Sequence, residues 1–412
     1  MRKALLVAGL IAVGLWLAIW VASLLMQSAV RSGAENEWPL ELGTLRDVPN
    51  RYPRQDMSPA AAKLIELSAP LGIEMAPRDR QGGLGNPRRP LEFVRGQLTQ
   101  WVSAQLSSPA EEIEPLPAES GEYLAGRAAD LTAVQQLLLS GQPVTWSSDI
   151  SNPFGPLPNL LGHMQLNRVL AGRALDRARF GDTGAWDDLR AAWNLARPLA
   201  ERPEMISNLI ALAMGRNVNA AARKMPLPAP AWFDEVQQFD FRRSLLASSQ
   251  VEAWQMNDRV QIETTVDVPV LRRGVDAVMA PYTRMSASDW AEASREIAMH
   301  VAATKRCDLD PRQISEMRRA NIAWWNLPAR GIASPNVDAI WVRALRLTAE
   351  REGTVRAIAL RAAAPPQPQS ACEGEKWIYA PDGRSFRFSD PMQPENPTLF
   401  TVPLEFSLDA GK

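Results

Sequence analysis

The sequence predicts a mainly α protein with an N-terminal transmembrane helix, an irregular multi-helix ectodomain built of helix pairs, and a small C-terminal antiparallel β-element. Three observations carry that expectation. Ala4–Met26 is a run of 23 residues without a charge. From Ser58 to about residue 362, apolar residues recur at helical spacing between capping residues, prolines and glycines. After a proline-rich break the grammar changes to alternation of large apolar and polar residues. The expected segments are an anchor over 1–30, a linker over 31–56, a helical ectodomain over 57–363 and a β-element over 364–412.

The apolar run, read as a helix, is about 34 Å long, enough for the hydrocarbon core of a bilayer. Trp16 and Trp20 lie toward its far end, where indole rings favour the interface. Arg2 and Lys3 precede it, so the positive-inside rule places the short N-terminus in the cytoplasm and the bulk outside, in a bacterium the periplasm. A cleaved signal peptide fits less well, because its apolar core is usually roughly 7–15 residues. The best small-residue exit, at Ala29, has Gln27 where a small residue is wanted, and no cysteine follows to accept a lipid.

Residues 31–56 carry Pro39, Pro49 and Pro53 without periodicity and read as a polar linker. Ser58-Pro59 then supplies an N-cap and a proline at the first helical position. Ala62, Ile65, Leu67 and Ala69 form the expected apolar stripe of a helix running to Gly72. A Gly/Pro/Arg-rich loop over 77–90 precedes helices over 91–106 and 121–139. The clearest section is 157–225, where Pro158 opens one helix that closes at Gly181. Asp182 caps a second, lined by Trp186, Leu189, Trp193 and Ala196 and stopping before Pro198. Pro203 starts a third, with Ile206, Leu209, Ile210, Ala213 and Met214 inward. Short turns make these antiparallel neighbours, and no fixed repeat period is present.

Further helices are predicted over 231–263, 267–280, 287–304, 311–326 and 335–362, the last capped by Ser334. An APPQPQS linker at 364–370 follows. Trp377 and Tyr379, the Pro381-Asp382-Gly383 turn, and Phe386 and Phe388 spell a hairpin. Phe400, Val402, Leu404, Phe406 and Leu408 make a third strand, which Pro403 confines to an edge. Trp101, Trp186, Trp193, Trp254, Trp290 and Trp341 fall within helical patterns and read as core.

Two resemblances follow from these residues. LPNLLGHMQLNRVLAGRAL (157–175) and ERPEMISNLIALAMGRN (201–217), with Arg51-Tyr52-Pro53 and Leu71-Gly72-Ile73, resemble a group of uncharacterised bacterial membrane-anchored helical envelope proteins. That resemblance implies architecture and brings no activity. The W-x-Y…D-G…F-x-F pattern after a long helix is similar to the C-terminal ends of pseudopilin-like proteins. The apolar helix lacks the early glutamate of a pilin, so filament assembly is not implied.

The net charge of −1, with basic pairs scattered among acidic residues, argues against nucleic acid as a partner. The chain has two histidines, His163 and His300, and carries no HExxH, Cys/His cluster, P-loop, GxGxxG after a strand, or GxSxG, so no metal or cofactor is expected. Asn159, His163 and Asn167 stand at i, i+4 and i+8 on one helix, a polar ladder that either ties helices together, faces solvent or binds a small polar ligand. Glu204 is the candidate acid if the chain cleaves cell-wall glycan, although a glutamate there also complements a helix dipole; Glu252, beside Trp254, is discounted alike. Cys307 and Cys372, the only cysteines, are expected to be joined if the compartment is oxidising.

The functional expectation is a non-catalytic, membrane-anchored envelope protein whose helical surface binds another protein, held in the inner membrane by residues 4–26. A periplasmic glycan hydrolase using Glu204, and a binder of a lipid or small molecule between helices, are the competing readings.

Overall fold

A computed structural model describes residues 2–33, 36–77, 89–152, 155–262, 270–304, 311–326, 336–363, 377–388 and 404–408. Among them are helices α1 (Arg2–Gly33), α2 (Val48–Arg51), α3 (Pro59–Ser68), α4 (Arg89–Ser107), α5 (Ala118–Gly126), α6 (Ala128–Leu139), α7 (Leu160–Arg179) and α8 (Ala185–Ala200). Then come α9 (Met205–Ala222), α10 (Phe233–Gln238), α11 (Phe241–Ile262), α12 (Val270–Ala303), α13 (Pro311–Asn321) and α14 (Asn336–Arg361). Three strands follow, β1 (Trp377–Tyr379), β2 (Ser385–Phe388) and β3 (Glu405–Ser407). The chain divides into two compact units: Met1–Pro53 with Leu246–Lys305 and Leu309–Val342, and Arg54–Leu245 with Arg306–Asp308 and Arg343–Lys412.

In the second unit, Ser58 caps α3 as predicted, its Oγ accepting from Ala61 N at 3.1 Å. The buried face is Ala60, Ala61, Leu64 and Ser68, however, and not the predicted stripe ending at Ala69. With small residues on every side, helical spacing alone leaves the inward face open, and packing on α6 decides it. The predicted helix over 121–139 is two helices, broken at Arg127 (φ −117, ψ 16). α8 continues through Pro198 to Ala200, because a proline removes a hydrogen bond only from the turn before it. Its apolar face is the predicted one: Trp186, Leu189, Trp193 and Ala196 are buried. α7, α8 and α9 pack on one another. Gly162, in the first turn of α7, lies so close to the chain at Glu74 that a Cβ there would stand 2.1 Å from the Glu74 carbonyl oxygen.

The β-element is a three-stranded antiparallel sheet in the order β1-β2-β3, with Trp377 opposite Phe388 and Phe386 opposite Phe406. The predicted alternation holds: Trp377, Phe386, Phe388 and Phe406 are all buried. They rest on α14 at Gly353, where a Cβ would meet the Phe406 ring at 2.4 Å. Trp377 Nε1 donates to Glu352 at 2.9 Å and Arg356 Nη1 to the Tyr379 hydroxyl at 3.0 Å. β3 is an edge strand, and Ser407 N reaches the Pro109 carbonyl at 3.0 Å. Phe400, Val402, Pro403 and the 364–370 linker lie outside the described residues.

The first unit contains α1, which packs along α12. The 36–53 stretch, read as linker, is an ordered clasp in which Trp38, Leu42, Leu45 and Val48 are buried. Gln250 of α11 donates to the carbonyls of Leu42, Gly43 and Thr44 at 3.2, 3.3 and 3.2 Å, and accepts from Arg51 at 2.6 Å. α12 is one helix where two were predicted, running through Pro281. The predicted helix over 231–263 is instead divided between α10 and α11. Ser334 and Pro335 lie outside the described residues, as do Cys307 and Cys372. Among the described residues no helix is long and apolar enough to cross a membrane. The side chains at 4–6, 8, 23 and 26, within the uncharged run, are not among them.

Candidate functional site

α9 is the polar axis of its unit. Ser207, Asn208, Arg216, Asn217 and Asn219 are all buried along it, whereas Ile206, predicted to point inward, is exposed. The polar ladder predicted on α7 is the partner of this axis. Asn167 is buried, its Oδ1 accepting from Asn217 Nδ2 at 3.0 Å and its Nδ2 donating to the Ala192 carbonyl at 3.3 Å. One amide pair thus links all three helices. His163 is fully buried, edge-on to Trp146 with ring centroids 5.0 Å apart. Burial holds its imidazole neutral, pushing the pKa down to about 4, and the positive charge of Arg202 acts in the same direction. Asn159 is not a rung of the ladder: it is the N-cap of α7, its Oδ1 accepting from Gly162 N at 3.0 Å.

Glu204 stands at the N-cap position of α9. Both carboxylate oxygens accept from Arg202, at 2.7 and 2.8 Å, and Oε2 also accepts from the Ser207 hydroxyl at 3.2 Å. Arg202 in turn donates to the carbonyls of Trp146 and Ser147 at 2.9 and 3.0 Å, pinning the 146–147 segment to the start of α9. The carboxylate is therefore engaged by its own neighbours.

At the other end of α9, Glu350 of α14 is fully buried between two arginines. Arg216 grips it through Nε at 2.7 Å and through Nη2, and Arg346 Nε donates at 3.1 Å. One turn further, Asn219 joins Gln237 at 2.9 Å to Thr354 at 3.1 Å. Arg223 is buried with its guanidinium on the carbonyls of Gln105, Leu106, Ser108 and Pro109, closing the C-terminal end of α4. Burial pushes its pKa down to about 9.

An open cleft of about 310 Å³ lies where α10 turns into α11. Gln237, Gln238, Asp240 and Arg242 line it from the elbow, and Thr348 and Arg351 from α14. Its base is aromatic: Phe239 and Phe241 pack with centroids 4.8 Å apart, and both meet Trp193 edge-on. Arg351 donates to the Phe239 carbonyl at 2.7 Å and lies over the Phe241 ring at 5.2 Å.

In the other unit, Glu252 lies one turn before Met256 on α11, whose side chain packs on Trp290, Ala293 and Ile322. Burial pushes its pKa up to about 7, with Arg318 opposing. Among the described residues no group of three or more His, Cys, Asp or Glu side chains could hold a metal ion.

Sequence reasoning found two members of the interior network, His163 and Asn167, and missed Arg202, Asn208, Asn217 and Glu350. The missed signal was in α9: SNLIALAMGRNVNAAA has apolar residues all round, so its polar residues had to lie inside as well. No family model matches this chain, and neither does any curated protein or solved structure.

Proposed function

We propose that this chain is a single-pass, inner-membrane envelope protein whose bulk lies in the periplasm, and whose helical ectodomain binds another protein and catalyses no reaction. The observation that carries the reading is the surface of α1. Val7, Leu10, Ile11, Val13, Leu15, Leu17, Ile19, Val21, Leu24 and Leu25 are each between 37% and 67% exposed, on a helix that also packs along α12. An exposed apolar surface of this extent is unfavourable in water and favourable in lipid. The positive residues Arg2 and Lys3 support the outward orientation. The partner-binding part of the reading is supported by the cleft beside α10, and by interior polar groups that are engaged with one another.

Alkaline carbonate extraction of cells should leave the protein in the membrane pellet, with an N-terminus that does not begin near Val30. Crosslinking before detergent extraction should capture a second protein; recovery of this chain alone under every condition overturns the partner reading. Cys307 and Cys372 give an independent test of orientation. In an oxidising compartment they form a bond closing a loop of about 65 residues, stabilising by ~4 kcal/mol in the chain-entropy model. Thiol labelling of the denatured, unreduced protein should then find no reactive thiol, and two per chain reject the outward orientation.

A further inference from the structure

After α13 ends at Asn321, the chain turns across α12, closed by Asn326 N on the Ala323 carbonyl at 3.0 Å. The residues on both sides of Trp324 in this turn are fastened to α12. Ile322 is buried against Trp290. Ala323 N donates to the two carboxylate oxygens of Asp289 at 3.0 and 3.3 Å. Trp325 is half-buried and edge-on to Tyr282, with ring centroids 6.1 Å apart, and its carbonyl accepts from the Tyr282 hydroxyl at 3.1 Å. Asn326 is buried, its amide donating to the Ser286 carbonyl at 3.1 Å and to Asp289 at 2.8 Å, and accepting from the Ser286 hydroxyl at 2.6 Å.

Trp324 itself is turned outward. It is 78% exposed, the most of any large apolar side chain among the described residues. A turn fixed on both sides holds the indole away from the protein, in contact with whatever surrounds this unit. Water is an unfavourable surrounding for so much apolar ring.

We propose that Trp324 is a second contact with the membrane, seated among the lipid headgroups, with Tyr282 and Trp325 as its aromatic base. The inference rests on the reading of α1 as the anchor. The turn and α1 belong to one compact unit, and α1 packs along α12, the helix to which the turn is fastened. Tryptophan and tyrosine are the side chains enriched at membrane–water interfaces, where an apolar ring with a polar edge meets both phases. A protein partner fits this surface less well, since a stable protein interface buries roughly 800 Å² on each side around an apolar core. Outside α1, the one other large apolar side chain that this unit exposes among the described residues is Met299. The exposed residues nearest the turn along α13 are Glu316, Arg319 and Ala320. A single indole among charged and small neighbours suits a headgroup layer.

The test uses the full chain, labelled with 5-fluorotryptophan and placed in nanodiscs of phosphatidylethanolamine and phosphatidylglycerol. Trp324→Phe and Trp20→Phe identify two of the 14 tryptophan signals, one on the turn and one on α1. Trp324→Tyr serves the assignment equally should the phenylalanine variant not fold. Lipid carrying a nitroxide on its headgroup should abolish both signals by paramagnetic broadening. Loss of the Trp20 signal with the Trp324 signal retained overturns the proposal and leaves the anchor standing. Retention of both overturns the anchor reading and the proposal with it. A retained Trp324 signal that moves between H₂O and D₂O marks an indole in water, and one that does not move marks an indole covered by protein, a partner or a second copy of this chain; either overturns the lipid assignment.

Discussion

α1 and α9 invert each other. α1 carries apolar side chains and exposes many of them; α9 carries three asparagines, an arginine and a serine and buries them. Neither arrangement is favourable in isolation, and each names what must surround the helix. On the proposed reading, the apolar helix that stays exposed is surrounded by lipid. A polar helix that is buried requires that every group find a partner, since an unpaired one costs about 1–3 kcal/mol. On α9, Asn217 is met by Asn167 of α7, which donates in turn to the Ala192 carbonyl of α8, and Arg216 is met by Glu350 of α14. Polarity along a helix thus reports on its surroundings only when burial is known as well.

The largest expected effect comes from breaking the α1 side of this contrast. Leu10→Arg together with Leu17→Arg puts two charges in the middle of the run, each costing ~2.5–3.5 kcal/mol on an insertion scale. The protein should move from the carbonate-resistant pellet to the supernatant while its helical circular dichroism persists. Undiminished pelleting would remove α1 as the anchor.

The α9 side is tested next by Glu350→Leu, which leaves Arg216 and Arg346 buried without their carboxylate. Removing one partner of a buried ion pair typically costs ~3–5 kcal/mol. Chemical denaturation should show that loss, and the triple change Arg216→Met, Arg346→Leu, Glu350→Leu should recover most of it. A single change costing under about 1 kcal/mol would mean that the site is hydrated, not buried. A smaller effect is expected for the Asn167–Asn217 link. Each single change to leucine should cost ~1–3 kcal/mol, and the double change less than the sum of the two, because the second removes a group the first has already left unpaired.

What could be read in the sequence divides along the same line. Local features survived: Ser58 with Pro59, the apolar face of α8, and the alternation of Trp377, Phe386 and Phe388 are each set by neighbours in the chain. Breaks were misplaced where the usual punctuation misled. Pro198 and Pro281 lie within continuous helices, and the α10–α11 elbow at Phe239-Asp240 contains neither proline nor glycine. The interior network was half legible. His163 and Asn167 stand out on α7 by spacing, but which residues face them depends on the offset between α7 and α9, a property of two helices that periodicity along one does not contain. Glu350 lies 134 residues from Arg216. The buried clasp at Trp38 and Leu42 was hidden because its polar partner, Gln250, is just as remote, 208 residues on from Leu42.

Glu252, in the other unit, sharpens the comparison as a carboxyl whose charged form burial disfavours. Its pKa in the folded chain, about 7, is raised above the ordinary 4.5 by burial, with the Arg318 charge opposing. Between those two values the folded state binds more protons than the unfolded state, so stability is lost as the pH rises through the window. The contribution is fully present below about pH 4.5 and gone above about pH 7. Glu252→Gln keeps the shape and removes the titration, so the variant and the native protein should be equally stable at pH 4.5 or below. At pH 8 the variant should be more stable, by on the order of 2 kcal/mol. The full shift would give more, but Glu252 is only half-buried, and Arg318, which lies 5.8 Å over the Trp290 ring, loses a favourable neighbour in the variant. Denaturant midpoints measured from pH 4 to 8 decide the matter. A stability difference that does not grow with pH, or a variant less stable than the native chain at pH 8, would mean that Glu252 is ionised and well partnered in the folded protein, and that the contrast with α9 fails at this residue.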